Sequence, residues 1–297
     1  GLPWERVPLA PEVVEVRLLD GYRRETVYFQ SRPGLAAFGY FLVPNDCALH
    51  RPAVLCLPGH GPGADSLVGI ADDGSQRPLG ANGDYHKDFA LQWVARGFPT
   101  FVLELISFGH RRSEAARQES PGASSCTRDS MAALMLGETM PGWRVWDALR
   151  ALDYLQTRPE VDKGHLAVMG ISGGGLVALF AAALDTRIRA AIVSGYFNTF
   201  ADSILSISHC PDNYVPGLQT LVEMPDFAGL IAPRALFVEG GRQDPIFPVS
   251  ALQIAIARAR EIYDAFGCSQ NFGAEIFEGG HEFHGQEAFP FLEQRLC

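Results

Sequence analysis

The stretch from Leu166 to Ala181 constrains the fold of this chain more than any other part. An apolar run, Leu166-Ala167-Val168-Met169, leads into Gly170-Ile171-Ser172-Gly173-Gly174-Gly175, and a second apolar run, Leu176-Val177-Ala178-Leu179-Phe180-Ala181, follows at once. This order predicts a strand, a sharp turn and a helix, with a serine at the apex of a Gly-x-Ser-x-Gly elbow. Such a turn brings the backbone against itself on both sides of the serine, where only small residues fit, and Gly170 and Gly174 supply them. The serine lies at a helix N-terminus, where unpaired N–H groups and the helix dipole favour developing negative charge. The competing explanation is a glycine-rich turn with an incidental serine, and the rest of the chain argues against it.

The surroundings of the elbow repeat its strand–helix rhythm. Short unbroken apolar runs occur at 53–57, 100–103, 166–169, 190–193, 235–238 and 274–277, the last of them Ala274-Glu275-Ile276-Phe277 with one charge inside. Such runs are the mark of parallel strands covered by helices on both faces. Helices are expected from about Lys87 to Arg96, from near Pro141 with Val145, Trp146, Leu149, Leu152 and Leu155 on one stripe, and from the elbow to about Leu184. Two more are expected from a Ser250 cap to near Gly267 and from about Gln286 to Arg295. Residues 13–18, 26–29 and 37–43 instead alternate, as an antiparallel meander at one sheet edge would. The expected whole is a single α/β domain over residues 1–297, a mostly parallel sheet with an N-terminal antiparallel edge. Two connections, at about 107–140 and 196–227, are long enough to act as lids or binding loops.

Composition removes several function classes. The formal net charge is −10 and no basic run stands out, so no nucleic-acid partner is expected. No apolar stretch reaches about 18 residues, so no membrane span is expected. The six cysteines, Cys47, Cys56, Cys126, Cys210, Cys268 and Cys297, contain no Cys-x-x-Cys pair. No zinc site is therefore expected, and free thiols in a reducing, cytoplasmic setting are. The chain starts at Gly1 without Met, which leaves export open. Oligomeric state is not encoded in any pattern we recognise.

An elbow serine needs a base, and the base an orienting acid, in the chain order Ser, Asp or Glu, His. The run ending at Val238 leads into Glu239-Gly240-Gly241-Arg242-Gln243-Asp244-Pro245, and the run ending at Phe277 leads into Glu278-Gly279-Gly280-His281-Glu282-Phe283-His284. Both loops leave the C-terminal ends of their strands, as the elbow does, so Ser172, Asp244 and His281 can converge on one sheet edge. Ser172 would attack an acyl carbonyl, His281 would take and return the proton, and Asp244 would hold the imidazole. Asp226 and Glu239 are rival acids, and His284 is a rival base. His281 and His284 are three residues apart, not the four of a His-Glu-x-x-His zinc motif.

An oxyanion hole needs two backbone donors. Gly173 N–H, next to the nucleophile, is one. The other should come from Pro58-Gly59-His60-Gly61-Pro62-Gly63. If His60-Gly61 were the guiding step the donor would be Pro62, which has no N–H, so His60 N–H is selected. The glycines here also suggest a phosphate loop, but no Gly-Lys-Ser/Thr step follows.

Taken in order, Pro58-Gly59-His60-Gly61, Gly170-Ile171-Ser172-Gly173-Gly174, Asp244-Pro245 and Gly279-Gly280-His281 resemble the α/β-hydrolase superfamily over about residues 35–295. Gly142–Leu155 and Ile231-Ala232-Pro233-Arg234 narrow the resemblance to the dienelactone hydrolase and acetyl xylan esterase-like group. The chain departs from that group at Pro58, where such enzymes often have His. The resemblance implies cofactor-free hydrolysis of a small carboxylic ester, with an acetylated carbohydrate as one candidate. The alternatives are a prolyl-oligopeptidase-type serine peptidase or a non-catalytic binding module. Substrate-binding residues are not specified. Tyr85-His86-Lys87 could line the pocket mouth but reads better as a solvated helix start; Arg111-Arg112 reads as a solvated loop end and Cys56 as an apolar filler. Cys126 has no base assignable beside it. One of Tyr196, Phe197 and Phe200 is a candidate for substrate contact, with ordinary packing as the equal alternative.

Overall fold

The computed structural model describes residues 5–80, 84–120 and 123–296; Cys297 lies outside them. Its frame is one nine-stranded sheet in the order β1-β2-β3-β5-β4-β6-β7-β8-β9. The strands are β1 (Glu12–Leu19), β2 (Tyr22–Arg32), β3 (Leu35–Pro44), β4 (Arg51–Leu57), β5 (Thr100–Leu103), β6 (Val161–Ile171), β7 (Ile188–Ser194), β8 (Ala235–Gly241) and β9 (Phe272–Phe277). β1, β2 and β3 pair antiparallel, as does β3 with β5, and every pairing from β5 through β4 to β9 is parallel. The expected fold class, an α/β-hydrolase-type sheet with an antiparallel N-terminal edge, is therefore the observed one.

Period-two alternation distributes the parallel strands β4 to β8 between two apolar layers, while β9 at the sheet edge is half-buried and packs against one. In β4, Ala53, Leu55 and Leu57 enter one layer while Val54 and Cys56 enter the other. β6 repeats this with Leu166 and Val168 against Ala167, Met169 and Ile171. The second layer is closed by α1 (Phe89–Ala95) through Phe89 and Trp93. In the connection between β5 and β6, α2 (Cys126–Met135) precedes α3 (Met140–Leu155). The first layer is closed by α3, by α4 (Gly173–Leu184) and by α5 (Val249–Ala265), while α6 (Ala288–Leu296) joins α1 on the other face. Burial on both faces is why β4 to β8 read as unbroken apolar runs; the run at 274–277 is a correction, since β9 is the sheet's outer strand and its interior residues are half-buried. β1 has neither layer: Val13, Val14, Val16 and Leu18 are exposed.

Local chemistry sets the helix ends. Thr139 Oγ1 accepts the Gly142 N–H at 3.1 Å, and Pro141 sits in the first turn, where its missing N–H costs nothing. The Ser250 cap is a correction: α5 begins at Val249 behind Pro248, with no side-chain cap, so Ser250 lies inside the helix. The two long connections are built rather than open. The first contains a short helix, Glu114–Glu119, and α2; the second contains 3-10 turns at Pro211–Asn213, Leu218–Thr220 and Met224–Phe227. Among the described residues no helix is long and apolar enough to cross a membrane.

Candidate active site

The elbow is as tight as its sequence requires. Ser172 adopts φ 56° and ψ −122°, a strained conformation for a side chain with a Cβ, which the flanking strand and helix hold in place. A Cβ on Gly170 would lie 2.1 Å from the Gly174 carbonyl oxygen, and one on Gly174 would lie 2.1 Å from that of Leu57. Any larger residue would push α4 off β4 and β6. The Ser172 N–H is fixed to the Ser194 carbonyl at 3.0 Å.

β8 and β9 deliver the other two groups. Asp244 Oδ1 accepts the N–H groups of Ile246 (2.8 Å) and Phe247 (3.0 Å), which aims Oδ2 at His281 Nδ1, 2.7 Å away. That bond calls for the tautomer with the proton on Nδ1 and leaves Nε2 as the ring's other polar atom. The imidazole is held between Phe247 and Tyr85, with ring centroids 5.6 and 5.5 Å away. Ser172, His281, His60, Tyr85, Ile207 and Ile246 line one cavity of about 310 Å³. A larger cavity of about 560 Å³, beside Tyr22 and Leu91, lies apart from these groups.

The rival residues have other duties. Glu239 is buried, and its carboxylate accepts the Ser194 hydroxyl (2.7 Å) and the N–H groups of His284 and Gly285 (3.0 Å each). Burial raises its pKa, against the lowering effect of those donors. Asp226 caps a 3-10 turn with Glu223. His284 pairs through Nδ1 with Glu275 at 2.9 Å.

The loop after β4 faces the elbow. Among the described residues neither the Gly173 N–H nor the His60 N–H has an acceptor. The loop itself is tied down. Tyr85 Oη donates to the His60 carbonyl at 2.7 Å, and the Gly59 N–H donates to His86 Nε2 at 3.0 Å. Glu104, fully buried, accepts the N–H groups of Ala64 and His110, both at 3.2 Å. Burial, reinforced by the nearby Asp65, raises its carboxyl pKa to about 7. Tyr85 and His86 therefore correct the expectation of a solvated helix start: His86 is completely buried and Tyr85 lines the cavity.

The family model for the abhydrolase family matches residues 2–266. The chain belongs to the abhydrolase family. The Bacillus subtilis protein named "Putative hydrolase YtaP" is 26% identical over 302 residues, covering 98% of this abhydrolase and 94% of that protein. Among solved structures, "a putative acetyl xylan esterase" from Bacteroides fragilis superposes with a TM-score of 0.78 at 21% identity, over 90% of this chain and 70% of that one. A glucuronoyl esterase from Solibacter usitatus superposes with a TM-score of 0.70 at 18% identity, over 99% and 86% of the two chains. At these identities the two structures speak to the fold.

Sequence reasoning missed a second polar cluster in this abhydrolase. His60 Nε2 lies 3.0 Å from Asp212 Oδ2, and Arg144 donates to Asp212 Oδ2 (2.5 Å) and Cys126 Sγ (3.2 Å). Burial opposes protonation of His60, but Asp212 and Cys126 outweigh it and raise the ring to about 9. The Asp212 carboxyl is held well below the usual range: burial opposes this, and Arg144 and His60 overcome it. Cys126 is lowered, first by its hydrogen bond with Cys210, then against burial by His60 and Arg144. The groups that the sequence could not place beside Cys126 are thus His60, Cys210 and Arg144. Arg111 is also not solvated, since its Nη1 donates to buried Asp147 at 2.6 Å. Tyr196, Phe197 and Phe200 are core residues rather than cavity walls; the second long connection lines the cavity with Ile207, Ser208, His209 and Cys210 instead.

Proposed function

We propose that this abhydrolase is a single-domain carboxylic ester hydrolase working through an acyl-serine intermediate. One observation carries the reading: His281 is locked to Asp244 at 2.7 Å and shares its cavity with a serine on a strained elbow. Ser172 Oγ attacks the ester carbonyl as His281 Nε2 takes its proton. Asp244 keeps the Nδ1 proton in place and stabilises the imidazolium. The tetrahedral oxyanion is received by the N–H groups of Gly173 and His60, each of which lowers the barrier by about 2.7–4 kcal/mol in comparable sites. His281 then protonates the leaving alkoxide, and a water activated by the same ring releases the acid.

A cavity of about 310 Å³ suits a small acyl group. The names of the Bacteroides and Solibacter proteins support a carbohydrate ester, and an acetylated sugar is the substrate class we put first. The reaction as proposed needs no cofactor. The test is a panel of nitrophenyl acetate, butyrate and longer esters, acetylated xylo-oligosaccharides and peptide anilides. Acetyl esters should turn over fastest, and Ser172→Ala should lose activity on the order of 10⁶-fold while keeping its circular dichroism. Unchanged ester turnover in that variant, or turnover of the anilides alone, would overturn the reading.

A further inference from the structure

Three segments distant in sequence bring a mixed set of donor atoms together beside the loop after β4. His60 comes from that loop, Cys126 from the first turn of α2, and Cys210 and Asp212 from the connection after β7. One ligand-type atom from each of the four lies within 4.8 Å of the other three. The absence of a Cys-x-x-Cys pair from the sequence said nothing about this arrangement, because only the folded long connections create it.

The geometry points to a binding site for one thiophilic divalent cation, with Zn²⁺ as its ligand of choice, held by His60, Cys126, Cys210 and Asp212. Two sulfurs, an imidazole nitrogen and a carboxylate oxygen make a four-donor set that suits zinc in a closed tetrahedral site. His60 Nε2 is buried and lies 3.0 Å from Asp212 Oδ2, yet makes no aligned hydrogen bond. The two atoms stand near the roughly 3.3 Å that separates ligands of a tetrahedron with bonds of ~2.0–2.1 Å.

An outer shell is also in place. Arg144 donates to Cys126 Sγ at 3.2 Å and to Asp212 Oδ2 at 2.5 Å, and Asn213 Nδ2 donates to Asp212 Oδ1 at 2.8 Å. Such donors orient ligands and hold their anionic forms. Two thiolates, the carboxylate, the Arg144 guanidinium and a divalent cation sum to neutrality. On binding, two S–metal bonds, one N–metal bond and one O–metal bond form in place of the ion's bonds to water, the protons carried by the two thiols and the His60 ring pass to solvent, and no redox change occurs.

With four protein ligands the ion leaves no open position for substrate, so its role is to tie both long connections to the loop that carries the His60 N–H. This site stands on the four side chains alone and does not depend on the ester reading. Its readout is therefore metal binding rather than activity.

The test is cobalt titration of the full chain, purified under reducing, oxygen-free conditions and stripped with a chelator. One Co²⁺ per chain should bind with thiolate-to-metal charge-transfer bands and the intense visible bands of tetrahedral cobalt, and Zn²⁺ should bleach them. Cys126→Ser and Cys210→Ser should each weaken binding by tenfold or more, while Cys47→Ser should leave it unchanged. As a measure independent of variant folding, Zn²⁺ should protect Cys126 and Cys210 of the unmodified chain from alkylation, as mapped by mass spectrometry. Pale octahedral cobalt spectra, binding that survives the double Cys126→Ser/Cys210→Ser change, equal alkylation with and without Zn²⁺, or a Cys126–Cys210 disulfide in the anaerobically purified chain would each overturn the inference.

Discussion

Two histidines line the same cavity, each beside a buried aspartate, and the two pairs are built differently. His281 and Asp244 meet in an aligned hydrogen bond of 2.7 Å, carried on two short loops at the ends of adjacent parallel strands. His60 and Asp212 approach to 3.0 Å without alignment, and Asp212 comes from the long connection after β7. The first pair shares one proton along one axis, which is what general-base catalysis requires. The second sets a ring beside a carboxylate without alignment, with an arginine and two thiols close by. Proximity of an imidazole and a carboxylate therefore does not make the two pairs alike; the direction of the contact separates them.

Each pair also has its own buried carboxylate. Glu239 gathers the N–H groups of His284 and Gly285 behind the His281 loop, and Glu104 gathers those of Ala64 and His110 behind the His60 loop. Both are fully buried acids whose pKa burial raises.

The comparison can be broken by exchanging the acids. Asp244→Asn should lower kcat by about 10⁴-fold, since it spoils the tautomer that aims Nε2. Asp212→Asn should lower it by less than about 100-fold, the scale of a supporting contact. Equal losses would mean that both pairs take part in proton transfer. Glu239→Gln sharpens the contrast at the next level down. It leaves buried N–H groups with one acceptor oxygen fewer, and should cost about 1–3 kcal/mol of stability in urea unfolding while perturbing the His281 side first. A variant as stable as the parent would show that the His281 loop needs no such anchor.

The smallest effect concerns pH. Folded Glu104 keeps its proton up to about 7, whereas the unfolded chain releases it near the ordinary 4.5. The stability it contributes is complete below the lower value and is lost as pH rises through the upper one. The decline in Tm between pH 5 and 8 should therefore be shallower in Glu104→Gln than in the parent, and parallel curves would contradict the assignment.

What the sequence revealed follows from where information is local. Gly170, Ser172 and Gly174 dictate their turn within five residues, and Asp244 and His281 sit on loops immediately after strands that any periodicity reading finds. Ser172, Asp244 and His281 could be named as the proposed triad for that reason, while in the structure Asp226, Glu239 and His284 have partners of their own. His86 holding the Gly59 N–H, Tyr85 holding the His60 carbonyl, and Arg111 meeting Asp147 depend on which loop atoms fold back onto which. No local pattern carries that. The same is true of Cys126 and Cys210, 84 residues apart and in contact only through two folded connections. Tyr196, Phe197 and Phe200 were aromatic residues at the correct sheet edge, but large apolar rings there gain more from the core than from a cavity wall.

The most direct test of the account is covalent labelling of the unmodified chain with a fluorophosphonate, followed by peptide mapping. The account predicts one adduct per chain, on Ser172 Oγ, whose formation slows sharply in His281→Ala. An unlabelled chain, or an adduct on any other residue, would contradict it.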